Sequence, residues 1–294
     1  MIEWPYSGVA GKVSVFQITM SILYIIGGVL LGMTRLQANA SQENMLLLTG
    51  LVTAATGLLW HAWTLWLLVF LPDGMVLSIG NTVSLIGFQL ALVAIIATAE
   101  STLRGLCGGL LILAGLGAFL TGGQLPVEAP ISMSLQVQTH VLISLFAYGL
   151  LTVGAIVAIY ALIQDRRLRR RVFSSANQLF APMETTEQLL FGINTAGFLL
   201  LLLAVSSGFA FVENLFAQHL VHKTTLSLLA LTLFGLLLAG RRFAGWRGRR
   251  VIYLYLGGFV ILCLAYFGSR YILCLLYTSP SQRDATLSRM PCSA

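Results

Sequence analysis

The chain has 294 residues, of which 57% are hydrophobic and only 9% are charged. Soluble domains carry about 25% charged residues, so a single water-soluble domain is excluded. Apolar stretches of roughly 20 residues recur along the chain and raise its mean hydropathy to +0.89, as is typical of a multi-span helical membrane protein. The formal net charge of +7 sits mainly between these stretches, which indicates lipid headgroups rather than nucleic acid as its partner.

Eight apolar spans are predicted, and each is long enough, or nearly so, to cross about 30 Å of hydrocarbon as a helix. The predicted fold class is therefore all-α: one polytopic bundle of about eight transmembrane helices, comprising residues 13–273. The spans are Val13–Met33, Met45–Phe70, Val76–Ala99, Gly105–Gly122, His140–Ile163, Leu189–Val212, Thr225–Gly240 and Val251–Leu273.

Arginines are concentrated in the loops after spans one, three, five and seven, whereas the alternate loops carry almost no basic residue except Lys223. The positive-inside rule places the arginine loops in the cytoplasm and predicts that both termini are extracytoplasmic. These arginines are Arg35, Arg104, Arg166, Arg167, Arg169, Arg170, Arg171, Arg241, Arg242, Arg247, Arg249 and Arg250.

Several segments outside the spans also carry predictions. Gln164–Gln188 is predicted to form a short interfacial helix and a loop, and the proline-containing outer segment Gly123–Thr139 to be irregular. Cys274–Ala294 is polar and aperiodic, so we predict a non-native or disordered tail. Gly105 and Gly109 have the GxxxG spacing that suits close helix packing.

No motif of a familiar enzyme class is present. The four cysteines form no CxxC pair, and there is no HExxH, G-x-S-x-G or P-loop pattern. Acidic residues are almost absent from the spans, which argues against a transporter that carries protons on buried carboxylates. We therefore expect a binding or delivery protein rather than an independent catalyst.

The four histidines are the main candidates for chemistry. With the predicted orientation, His61, His140, His219 and His222 all fall in the outer part of the protein, the last two in the loop before span seven. Neutral imidazole is a common axial ligand of haem iron. His140 and His222 are the candidate metal ligands because each stands at the start of a span, whereas His219 is a weaker candidate.

His61 lies among tryptophans that recur every third residue. Trp60, Trp63 and Trp66 would line an apolar slot for a porphyrin beside His61, or they would form an interfacial aromatic belt around a hydrogen-bonded histidine. The residues alone favour neither alternative.

Isolated polar groups on other spans indicate contacts between helices. One face of span five is predicted to form a bundle-facing polar seam, with a ligand channel as the alternative. Three buried amides are expected to link helices. The seam consists of His140, Ser144, Tyr148 and Thr152, and the amides are Asn81, Gln89 and Asn194.

The last two spans resemble those of the haem-handling cytochrome c assembly membrane protein family. The similarity is strong over Val137–Leu273 and looser over Val13–Thr121. The features that carry it are His222-Lys223, the GWRGRR loop Gly245–Arg250, the Tyr-Phe-Gly-Ser of Tyr266–Ser269, and the His-headed stretch Val137–Leu151.

This resemblance implies an inner-membrane protein of bacteria that binds or relays haem b at the extracytoplasmic face. By motif, His140 and His222 correspond to the outer ligands of the family and His61 to a membrane-embedded one. Apocytochrome c and other cytochrome c biogenesis proteins are the implied partners.

The chain departs from the family pattern in one place. A Trp-rich segment ending in Trp-Asp-Pro precedes the family's corresponding His-headed span, but here the sequence is FVENLFAQHLVHKTT, without tryptophan. Phe211 and Phe216 are the aromatic residues available there to stack on a porphyrin. The difference keeps open a second reading, a non-haem accessory subunit of a membrane transport or ion-handling complex. A solute transporter is less favoured because no span is clearly broken.

Overall fold

The computed structural model describes residues 9–37, 39–71, 74–75, 79–120, 134–170, 180–211 and 218–265. Eight α-helices account for nearly all of this part of the chain, together with a two-residue antiparallel hairpin and one 3-10 turn at Ser101–Leu103. The helices are α1 Val9–Thr34, α2 Ala40–Val69, α3 Ile79–Ala97, α4 Arg104–Phe119, α5 Leu135–Arg169, α6 Met183–Phe211, α7 Gln218–Ala244 and α8 Arg249–Cys263, and the strands are β1 Phe70–Leu71 and β2 Gly74–Met75.

The predicted all-α membrane fold is confirmed. Seven of the described helical segments are long and apolar enough to cross a membrane. The eighth helix, α8, has 15 residues, and residues 266–273 of the predicted span Val251–Leu273 lie outside the described residues, as does the tail at 274–294. Large apolar side chains such as Leu59 and Ile96 remain exposed, as expected for a surface that is covered by lipid tails.

The helices form two groups of four. In the first group, α1 and α3 each pack against both α2 and α4; in the second, α5 and α7 each pack against both α6 and α8. Contacts between α3 and α5 join the two groups. Neighbouring helices run in opposite directions: Gly28 near the end of α1 meets Gly108 near the start of α4, and His140 near the start of α5 meets Ser207 near the end of α6.

The antiparallel order gives the bundle two chemically different ends. We call the end at which α4 and α8 begin the arginine end, since Arg104 and Arg249 lie there. Arg104 binds Glu43 of α2 at 2.5 Å, and Arg249 binds Asp165 of α5 at 2.6 Å. We call the opposite end, where α5 and α7 begin, the histidine end.

Close approach of α1 and α4 depends on glycine. A Cβ atom built on Gly108 would lie 2.5 Å from the Gly28 carbonyl oxygen, closer than any real contact, so neither helix can carry a side chain at this crossing. The prediction that Gly109 provides the close contact is wrong: nothing lies within 4 Å of its Cβ position. The period of the helix places Gly108, not Gly109, toward α1.

Three other predictions about element boundaries need correction. Residues 135–139, expected in an irregular segment, form the first turn of α5, with Ser134 as the N-cap. Residues 164–169, expected in a separate interfacial helix, continue α5. His219 and His222, expected in a loop, lie in the first turns of α7.

Candidate functional site at the histidine end

His140 lies one turn into α5, where it faces the C-terminal part of α6. Its Nδ1 atom is 2.9 Å from the Ser207 hydroxyl oxygen. The imidazole also lies against Gly208, where an added Cβ atom would come within 3.1 Å of the ring carbon Cε1. The side chain is half-buried. A small-residue pair on α6 therefore holds the ring in one orientation at the edge of the bundle.

The hydrogen bonds around Ser207 accommodate the tautomer of His140 that binds metals through Nε2. When the Ser207 hydroxyl donates its hydrogen to the Ala204 carbonyl oxygen at 2.9 Å, its oxygen accepts from Nδ1–H of His140. Nδ1 then carries the ring proton and Nε2 keeps its lone pair. Among the described residues Nε2 has no hydrogen-bond partner. A neutral imidazole oriented through Nδ1–H is the arrangement that metal-binding histidines generally adopt.

His61 has a different environment, in the interior of the first helix group. Its side chain is fully buried, with Nδ1 3.2 Å from the Tyr24 hydroxyl and Nε2 2.7 Å from the Ser84 hydroxyl. The ring also packs edge-on against Phe88. Both ring nitrogens are therefore occupied, and in this arrangement His61 connects α1, α2 and α3 instead of offering a free ligand atom.

Trp60 and Trp63 point away from His61. They are 40% and 65% exposed, whereas His61 faces inward from the same helix. The Trp60 ring packs against Phe16 of α1 at a centroid distance of 5.5 Å. The structure thus does not bring the tryptophans and His61 together into one slot, and the exposed rings have the position of an interfacial belt.

The remaining histidines are located by their backbone. His219 and His222 belong to the first two turns of α7. This helix runs antiparallel to α6, because Arg241 contacts Phe191 and Phe234 contacts Asn194. The backbone of His222 therefore lies at the same end of the bundle as His140, although the two residues are far apart in sequence. The segment that precedes α7, residues 212–217, and Phe216 with it, lies outside the described residues.

The sequence-based candidates did not include the α6 partners of His140. Ser207 and Gly208 occur as Ser-Ser-Gly near the end of span six, and that small-residue run was the available signal for close packing. Only part of the predicted polar seam on α5 connects this helix to another, because the hydroxyls of Ser144 and Thr152 donate to the carbonyls of His140 and Tyr148 within α5 itself.

Two amides behave as expected of helix-linking groups. Asn194 of α6 is fully buried and its Nδ2 donates to the Phe234 carbonyl of α7 at 3.4 Å. Gln89 of α3 is buried against Gly149 of α5, where the two helix groups meet. Among the described residues the Gln89 Nε2 and Asn194 Oδ1 atoms have no hydrogen-bond partner, so Gln89 joins α3 and α5 through packing alone.

His140 is the one histidine at the histidine end whose side chain lies among the described residues. Within the described residues, no group of three or more His, Cys, Asp or Glu side chains is placed to hold a metal ion. A structural zinc site needs four such ligands. Haem iron takes its other four ligands from the porphyrin, so one or two imidazoles are enough, and His140 fits that requirement.

Comparison with known proteins gives a consistent result. The model of the family described as "Cytochrome C assembly protein" matches residues 49–276. The Inner membrane protein YpjD of Escherichia coli K12 is 31% identical over 268 residues, which cover 88% of this chain and 97% of that protein. An uncharacterized 28.8 kDa protein of Azospirillum brasilense is 27% identical over 53% of this chain and 60% of its own length. No solved structure matches the chain.

Proposed function

We propose a haem-handling role at the extracytoplasmic membrane surface for this chain, which belongs to the cytochrome c assembly protein family. It is a multi-pass membrane protein, and the similarity to an E. coli inner membrane protein supports the inner membrane of a bacterium as its location. In this proposal the protein binds or relays haem b as cargo and leaves the covalent attachment chemistry to partner proteins.

The environment of His140 is the observation that carries the proposal. Its ring contacts Ser207 and Gly208, and in the proposal Nδ1–H donates to the Ser207 oxygen while Nε2 offers the lone pair that binds iron. Because the ring is already ordered, its side chain loses less conformational entropy when haem binds. His61, by contrast, has both ring nitrogens within hydrogen-bond distance of buried hydroxyls.

His222, whose helix begins at the same end, would hold haem together with His140. Haem, when bound, supplies a redox-active iron and the porphyrin substituents that cytochrome c maturation modifies. The protein's part is to orient one or both imidazoles and to exclude water from the apolar faces of the ring. Trp60 and Trp63 would contribute to that apolar surface near the membrane interface. His61 would join the ligands only after releasing Tyr24 and Ser84.

The test is the absorbance spectrum of the protein purified in mild detergent from haem-replete cells. We expect a Soret band that is strongly reduced in His140→Ala and in His222→Ala. His219→Ala is the matched control, because it changes the same residue type in the same helix and should keep the band. A haem-free wild-type protein, or unaltered bands in both variants, would contradict the proposal.

The missing Trp-rich segment favours the alternative of a non-haem accessory subunit. That alternative predicts that the protein co-purifies with a transport or ion-handling partner and that cells carrying His140→Ala make normal amounts of c-type cytochromes. Haem staining of those cells therefore separates the two functions. Apocytochrome c captured with the wild-type protein, and lost in the variant, would support haem delivery.

A further inference from the structure

A pocket opens at the arginine end, far from His140. It lies among the N-terminus of α6, the C-terminus of α7 and the turn that leads into α8, and its volume is about 330 Å³. Five residues line it: Glu184, Glu187, Arg241, Arg247 and Gly248. Four of the five are ionisable, two of each sign, which is unusual in a chain with only 9% charged residues.

The inner wall of the pocket is held by contacts within the protein, although the buried Nη1 atom of Arg241 has no hydrogen-bond partner among the described residues. The buried carboxylate of Glu187 accepts the Gly248 backbone N–H at 2.8 Å and lies 3.7 Å from Arg241. The Arg241 guanidinium also stacks over the Phe191 ring, 4.4 Å from its centroid. Gly248 has a φ of +73°, which only glycine adopts without strain. This wall therefore forms without any ligand.

The outer wall differs, because its two charges are not paired. Arg247 and Glu184 are both exposed and line the same pocket. Within the described ranges neither makes a hydrogen bond or an ion pair. A quarter of the Arg241 side chain also remains accessible. The pocket thus offers two guanidinium groups and one uncommitted carboxylate.

We propose that this pocket binds the headgroup of an aminophospholipid, phosphatidylethanolamine. Its phosphate would contact Arg241 and Arg247, and its primary ammonium would donate to Glu184. Guanidinium groups are well suited to phosphate oxygens, and the arginine end is where lipid headgroups meet a membrane protein. The pocket needs no part of the haem proposal, so either inference can fail without the other.

Charge complementarity selects this headgroup over other phospholipids. Phosphatidylglycerol has a phosphate but no cation, so it would leave Glu184 unpaired beside an anion. Phosphatidylcholine has a quaternary ammonium that cannot donate a hydrogen bond to the carboxylate. A general basic surface would instead prefer the anionic lipid, because surface electrostatics favour net negative charge.

The experiment is native mass spectrometry of the intact protein from detergent micelles that contain equal amounts of dioleoyl phosphatidylethanolamine, phosphatidylglycerol and phosphatidylcholine. We expect the ethanolamine lipid to be retained about fivefold over the other two, a modest preference because exposed ion pairs are weak. Arg247→Gln and Glu184→Gln should each remove that preference. Arg242→Gln, a neighbouring exposed arginine outside the pocket, should keep it.

Three results would overturn the proposal. Equal or greater retention of phosphatidylglycerol would make the pocket part of a general anionic-lipid surface. A preference unchanged in both pocket variants, at unchanged melting temperature, would place the lipid elsewhere. Retention of millimolar phosphoethanolamine by the protein, with no preferential retention of the ethanolamine lipid, would identify a water-soluble metabolite as the ligand.

Discussion

Replacing Ser207 with alanine removes the acceptor that orients His140 and leaves the rest of the site in place. The lost contact is a single 2.9 Å hydrogen bond at the edge of the bundle. Such a bond contributes only about 0.5–1.5 kcal/mol to folding, and about 0.6 kcal/mol on average inside membranes, so the variant should remain folded. The effect on a metal ligand is larger, because losing the orienting partner typically lowers metal affinity by roughly 10–100-fold.

The measurement is a titration of haem into purified, haem-depleted protein, followed by the Soret absorbance. We expect the Kd of Ser207→Ala to rise by about tenfold or more, with a nearly unchanged melting temperature. Ser206→Ala is the matched control, since Ser206 is the same residue type one position away and is exposed. Equal Kd values for Ser207→Ala and the wild type would refute the orienting role of Ser207 and the Nδ1–H tautomer proposed for His140.

Two further substitutions test the framework. Gly108→Ala would place a Cβ atom 2.5 Å from the Gly28 carbonyl oxygen and should lower stability by about 1–3 kcal/mol, whereas Gly109→Ala should leave the melting temperature in detergent unchanged. A similar loss in both variants would contradict the observed crossing of α1 and α4. His61→Leu should lower the melting temperature, because the hydroxyl groups of Tyr24 and Ser84 lose their contact with the buried imidazole. The haem content per folded molecule should not change. Loss of haem at an unchanged melting temperature would instead identify His61 as a ligand.

The membrane fold could be predicted from the sequence because the thickness of the bilayer sets the length of each apolar span, and the membrane sets which loops carry arginine. The boundaries of the helices were harder to predict from the sequence. The helix α5 continues past the apolar span through Arg169, where Asp165 forms ion pairs with Arg169 and with Arg249 of α8. That stabilisation involves a partner 84 positions away, which no local pattern indicates.

The site could be predicted only as a set of histidines. Transmembrane helices are apolar on nearly every side, so periodicity does not reveal which face packs inward. This is why the sequence left open whether His61 faces Trp60 and Trp63 or the interior. The partner of His140 depends on the register between α5 and α6, which places Ser207 opposite it, and register follows from packing that a single sequence does not display.

The most direct measurement of the central claim is chemical rescue of the proposed ligand. His140→Gly removes the imidazole and should abolish the Soret band of the purified protein. Added imidazole should restore the band at millimolar concentration, because it can occupy the vacated position and bind the iron through the same type of nitrogen. A Soret band that survives the substitution would contradict ligation by His140. So would a folded His140→Gly variant in which added imidazole fails to restore the band.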